Sequence, residues 1–216
     1  MFICICIFQI YLGKAEQNGK LEIVEFNKGL PAIGSWVYKA NGDPTLWLGK
    51  KYEGKYLYEP INIIIVDTYS RSNDQSIKRI ENICSAINYK KHRGHSSGYY
   101  GKINGKLFGQ IPKEYRTAFS DGPTWKTSNH CRLYGPILWD EKYIYIGSIS
   151  RESFTLIAFI HHNFISYNEA RDDFVMKMAK YGFCNKIENI QLGNTMNNEE
   201  YTTGDHDGNA SLIMLN

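Results

Sequence analysis

Apolar residues along this chain change their spacing several times, and each change marks an element. Pro60-Ile61-Asn62-Ile63-Ile64-Ile65-Val66-Asp67 is nearly all β-branched, with no alternation. That pattern predicts a central strand buried on both faces. After a polar turn over Ser70–Gln75, Ile77, Ile80, Ile83, Cys84 and Ile87 recur at steps of three and four. They predict an amphipathic helix over Ser76–Asn88. A second helix is announced by Ser166 and Glu169 as a capping box, Ile165 and Ala170 at the staple positions, and Gly182 as a stop. Its expected buried stripe is Ala170, Phe174, Met178 and Tyr181.

The remaining apolar segments are short and bounded by turns. Gly34–Tyr38 and Thr45–Leu48 flank the turn Asn41-Gly42-Asp43-Pro44. Asn104-Gly105, whose residues both accept positive φ, predicts a tight hairpin joining Tyr99–Ile103 to Lys106–Gln110. A second hairpin joins Cys131–Trp139 to Tyr143–Ser148 around Asp140-Glu141-Lys142. Phe154–Ile160 reads as another buried strand and Ser211–Leu215 as the last one. Together these elements predict an α+β fold: a mostly antiparallel twisted sheet with two amphipathic helices packed on it.

Composition agrees with one ordinary globular domain. The chain has 216 residues, 43% hydrophobic and 22% charged, which excludes a disordered, collagen-like or coiled-coil protein. A net charge of +3 without a Lys/Arg cluster gives no footprint for nucleic acid, so no nucleic-acid partner is expected. Met1–Leu12 is apolar except for Gln9, too short to span a bilayer, and followed by Gly13 and Ala15 at the small-residue positions of a cleavage site. No Lys/Arg region precedes it. Residues 1–15 are therefore expected to be an export signal, with a truncated membrane anchor or a buried strand as alternatives. Residues 16–216 are expected to form the single domain, in an extracytoplasmic setting. Cys84, Cys131 and Cys184 follow the signal at spacings that fit no zinc motif.

Candidate chemistry centres on histidine. His92-Arg93-Gly94-His95 falls in a loop before the first hairpin, His130-Cys131-Arg132 opens a strand, and His161-His162 ends one just ahead of the second helix. A helix N-terminus attracts anions, a histidine can move a proton near neutral pH, and an arginine offers a two-pronged grip on phosphate or carboxylate. Neighbours on a strand face opposite ways, so one of His161 and His162 is expected to face a site. Each of these residues also has a plain structural reading. A histidine at a strand end commonly serves as a half-buried hydrogen-bonding group, and Asp205-His206-Asp207 reads as a turn rather than a calcium loop. There is no G-x-S-x-G elbow and no H-E-x-x-H.

The order of several short pieces resembles the C-terminal domain family named after the Legionella secretion protein LssY. The pieces are Pro60–Val66, Ala118-Phe119, His130-x-Arg132, His161-His162, Glu169-Ala170-Arg171-Asp172, and Gly193-Asn194 through Tyr201-Thr202-Thr203-Gly204-Asp205. The resemblance spans about residues 60–215, and the family's Thr-Asp-Gly element stands here as Thr203-Gly204-Asp205. What it implies is an envelope or membrane-surface setting, without an assigned activity or cofactor.

The resulting expectation is a phosphate-bearing envelope ligand, bound or hydrolysed. His130 with His161 or His162 would do the chemistry, and Arg132, Arg171 and His95 would bind. A metal-dependent version would add His95 as a third ligand. The alternative is a non-catalytic adaptor that docks on a membrane protein, with histidines in structural roles. Distance between His130 and the His161/His162 pair separates the two.

Overall fold

The structure, a computed structural model, describes residues 23–24, 29–95, 97–123, 125–155 and 161–216. The expected leader 1–15 and most of Phe154–Ile160 lie outside these residues.

The strands are β1 (Ile23–Val24), β2 (Ile33–Tyr38), β3 (Leu46–Tyr52), β4 (Lys55–Tyr58) and β5 (Ile63–Asp67). Helix α1 (Asn73–Ala86) follows, then β6 (Lys90–Arg93), β7 (Tyr100–Ile103), β8 (Lys106–Ile111), β9 (Thr117–Ser120), β10 (Ser128–Trp139), β11 (Lys142–Thr155) and β12 (His161–Ser166). Helix α2 (Asn168–Lys180) leads to β13 (Cys184–Gln191), β14 (Tyr201–Thr202) and β15 (Asn209–Leu215). The α+β class holds, and the large sheet is mixed rather than purely antiparallel, since β15 runs parallel to β5; a separate three-stranded sheet, β3–β4–β14, has β14 parallel to β4.

A long hairpin, β10 with β11, is the spine. Near its turn β10 pairs with β8 and β11 with β5; at its open end β10 pairs with β9 and β11 with β12. The turn is two residues, Asp140-Glu141, both at positive φ, with Lys142 already paired to Trp139. Beyond β5 the sheet continues through β15 to β13, and beyond β8 through β7 and β2.

β5 has no polar face because both faces are covered. Ile63 and Ile65 join the core beneath the helices, with Ile80, Ile83, Phe174 and Met178. Ile64 and Val66 point to the other face and pack with Ile33, Val37, Ile61 and Ile146.

Helix α1 begins three residues earlier than its apolar pattern indicates, because Ser72 is its cap: the Ser72 hydroxyl accepts from the Gln75 amide at 3.2 Å. Helix α2 stops as expected at Gly182, φ +70, where the Phe183 amide donates to Met178 and the Gly182 amide to Ala179. Its start is shared. Ser166 Oγ accepts from the Glu169 amide at 2.9 Å, and the Asp205 carboxylate accepts from the Tyr167 and Asn168 amides. The buried stripe is Ala170, Phe174 and Met178, with Arg171 in the place expected of Tyr181, which is exposed. Among the described residues no helix is long and apolar enough to cross a membrane.

Candidate functional site

Period-two geometry on the β10–β11 spine sorts its side chains. Ser128, His130, Arg132 and Tyr134 share one face of β10, and the register sets them opposite Glu152, Ser150, Ser148 and Ile146 of β11. The intervening Cys131, Leu133 and Ile149 face the helices. At the turn end the shared face is apolar. At the open end it is polar and still buried, with Ser128, His130, Arg132, Ser150 and Glu152 all nearly inaccessible.

Glu152 is the hub. Its Oε1 lies 3.3 Å from His130 Nδ1 and its Oε2 lies 3.4 Å from His162 Nδ1. Ser150 Oγ donates to Oε1 at 3.2 Å. On the far side of His130, Nε2 is 2.9 Å from Ser128 Oγ. His95 packs edge-on against His130, ring centroids 4.4 Å apart, and its Nε2 has no hydrogen-bond partner among the described residues. The His130 and His162 rings are 6.4 Å apart. His162 is 23% exposed and forms the solvent edge of the group.

Burial sets the protonation states. It lowers the pKa of His130, and it lowers that of His95, with help from His130 and Arg132, to about 3; both rings are neutral at pH 7. Burial pushes the Glu152 carboxyl up, but His130, His162 and Arg132 outweigh it and hold it at about 2, so Glu152 is an anion. In the arrangement these contacts favour, neutral His130 donates from Nδ1 to Glu152 and leaves Nε2 to accept from Ser128.

The two arginines expected to bind ligand are already engaged by carboxylates. Arg132 donates to Glu59 Oε1 at 2.6 Å, both side chains 2% exposed. Burial works against the Arg132 charge, but Glu59 and, further out, Tyr134 and Glu152 raise its pKa. Arg171 grips Asp207 with two prongs at 2.7 and 3.1 Å and also bonds Asp172 and the Asn209 carbonyl. It belongs to the latch that ties the 204–208 loop to α2 rather than to the histidine group. The same latch occupies the helix N-terminus, because the Asp205 carboxylate fills the place where an anion would sit.

Two other sequence expectations change. His92 and Arg93 lie on strand β6 rather than in a loop, and His95 follows them into the buried cluster. His161 and His162 do not end a strand, because β12 runs on past them to Ser166. His162 is the member of that pair brought to Glu152; the side chain of His161 is not among the described parts. His206 is buried elsewhere, with Nε2 2.8 Å from Asn194 Oδ1.

Sequence reasoning did not single out Glu152, Ser128 or Lys50. Glu152 and Ser128 sit in polar stretches with no spacing signal, and only the cross-strand register joins them. Lys50, on β3, donates from Nζ to the carbonyl of His162 at 2.5 Å, and this neutral carbonyl is its partner among the described residues. It places a positive charge at the open edge of the cluster. Among the described residues no group of three or more His, Cys, Asp or Glu side chains is arranged to hold a metal ion. No protein-family model, curated protein or solved structure matches the chain.

Proposed function

We propose that this chain binds a phosphate-bearing ligand, specifically a phosphodiester, and hydrolyses it by acid–base catalysis. The observation that carries the reading is the single buried carboxylate of Glu152 touching two imidazoles, one enclosed and one open to solvent. His130, neutral and oriented by Glu152, is the base. His162, which solvent reaches, is the proton donor to the leaving group. Lys50 meets the single negative charge of the diester. With Glu152 already anionic and both arginines engaged by carboxylates, a singly charged diester fits better than a doubly charged monoester. The resemblance to an envelope-associated family supplies the setting, a ligand at or outside a membrane.

The adaptor alternative draws on exposed aromatics such as Tyr115 and Trp125. It requires the histidines to be separate structural groups, whereas His130 and His162 meet at one anion and His95 packs on His130.

Hydrolysis of bis(4-nitrophenyl) phosphate tests the reading. Turnover should fall about 10²–10⁴-fold in Glu152→Gln and in His162→Ala. Lys50→Ala should raise KM more than it lowers kcat. Turnover that survives Glu152→Gln at the wild-type rate defeats the proposal.

A further inference from the structure

The acid–base reading leaves one group of the cluster without a role, the hydroxyl of Ser128. Its Oγ has two acceptors within reach, His130 Nε2 at 2.9 Å and the Lys126 carbonyl at 3.3 Å, and the imidazole is the nearer. Behind the imidazole stands Glu152 at 3.3 Å. A hydroxyl, an imidazole and an ionised carboxylate in this order form the arrangement that turns a serine into a nucleophile. No elbow motif marks it, because Ser128 and His130 lie two residues apart on one strand and therefore on one face.

The serine is also held closely from its other side. A Cβ built on Gly122 would come 3.1 Å from Ser128 Cβ and 3.9 Å from Ser128 Oγ. The backbone of Gly122 is not in the left-handed region, so glycine is not demanded there by φ. The Gly122 backbone therefore packs directly on Ser128 and helps hold its hydroxyl in place against His130.

Resting on the reading above, we propose that Ser128 is the nucleophile of this site and forms a covalent phosphoseryl intermediate with a phosphodiester substrate. Ser128 Oγ attacks phosphorus and gives its proton to His130 Nε2. The bond from phosphorus to the leaving alkoxy oxygen breaks, and that oxygen takes a proton from His162. In the second half a water attacks phosphorus and gives its proton to His162. The Oγ–P bond breaks, and His130 returns its proton to Ser128. The products are one alcohol and one phosphate monoester, and both histidines end as they began. His95, neutral and packed on His130, keeps water and stray charge away from the base.

The experiment is covalent trapping of the full chain with a fluorophosphonate ester, read by intact mass and peptide mapping, beside turnover of bis(4-nitrophenyl) phosphate. One adduct is expected, on Ser128, absent in Ser128→Ala and formed about 10²-fold or more slowly in His130→Gln. In the wild type the trapping rate should rise with pH through a midpoint below the ordinary histidine value of 6.5, because burial lowers the pKa of His130. A purely structural serine would show neither effect. An adduct elsewhere, or one on Ser128 whose rate ignores His130→Gln, overturns the proposal. Turnover that survives in Ser128→Ala but falls in Glu152→Gln also overturns it, while leaving the acid–base reading intact. An adduct on Ser128 without any phosphodiester turnover does the reverse: the nucleophile stands and the substrate reading falls.

Discussion

Replacing Arg132 by methionine should cost more stability than any surface substitution in this chain, and the structure says why. The Arg132 guanidinium and the Glu59 carboxylate meet at 2.6 Å with each side chain 2% exposed. Two unit charges at that separation attract by about 6 kcal/mol at an effective dielectric constant of about 20. Methionine fills most of the volume, so the loss is chiefly that of leaving the Glu59 charge buried alone. Breaking such pairs from one side costs about 3–5 kcal/mol. In a chain of this size each kcal/mol moves the melting temperature by roughly 2–4 °C, so a drop of about 6–20 °C is expected at pH 7.

The sign of the pH dependence is also set. Burial already raises the pKa of Glu59, and the variant removes the cation that pulls it down. A carboxyl raised above its unfolded value contributes stability that is complete below that value and lost as pH rises through the folded one. The deficit of Arg132→Met should therefore shrink on going from pH 7 to pH 5. Glu59→Leu combined with Arg132→Met removes both charges and should recover most of the loss. Thermal melts of the two single variants and the double variant at both pH values are the assay. A deficit under about 1 kcal/mol for Arg132→Met, or a double variant no better than the singles, would refute the reasoning.

Three other outcomes follow from the same geometry. Asp205→Ala removes the carboxylate that accepts from the amides of Tyr167 at 2.7 Å and Asn168 at 3.3 Å, so it should cost about 1–2 kcal/mol in denaturant unfolding, with Asp205→Asn losing less. His95 is held neutral by burial with its pKa lowered to about 3; its contribution is present above the unfolded value of 6.5 and lost as pH falls through the folded one. Melting temperature should accordingly decline as pH drops below about 6.5, and His95→Gln should flatten that decline. Gly147→Ala places a Cβ 2.6 Å from Leu133 Cδ2 and 2.7 Å from the Arg132 carbonyl oxygen, a backbone atom that cannot rotate away. In denaturant unfolding it should destabilise by about 1–3 kcal/mol or more, whereas Gly109→Ala, whose Cβ meets nothing nearer than 4.0 Å, should be close to neutral.

Most elements were legible where one local signal dominated. The β-branched run at Ile63–Asp67, the Asn104-Gly105 turn and the Gly182 stop each act through their own backbone and neighbours. Elements that depend on a distant partner were not. Lys90–Arg93 is entirely cationic or imidazole in composition and becomes a strand because it pairs with Thr117–Ser120. Cys184–Gln191 has little apolar pattern, with Ile190 as its buried residue, and is held at the sheet edge by β15. The parallel pairing of β15 with β5 joins the chain's end to a strand far from it in sequence, which no local spacing encodes.

The candidate site divides in the same way. The residue types were readable, and so was the rule that His130 and Arg132 share a face, since alternation is a local property of a strand. What no spacing could determine is which charges meet. Glu59 reaches Arg132 from 73 residues away, and Lys50 reaches the His162 carbonyl from 112. Whether an arginine is a ligand-binding fork or one half of a buried pair depends on the anion beside it. The sequence by itself determined the two helices, the doubly buried central strand and a supply of histidines beside polar strand ends. Only the tertiary structure decided that His130 and His162 meet at Glu152 with His95 packed on His130, that both arginines are paired with carboxylates, and that Ser128 faces His130. Secondary structure follows from torsions and periodicities within a few residues, whereas electrostatic partnership follows from cross-strand register and the folding together of remote segments.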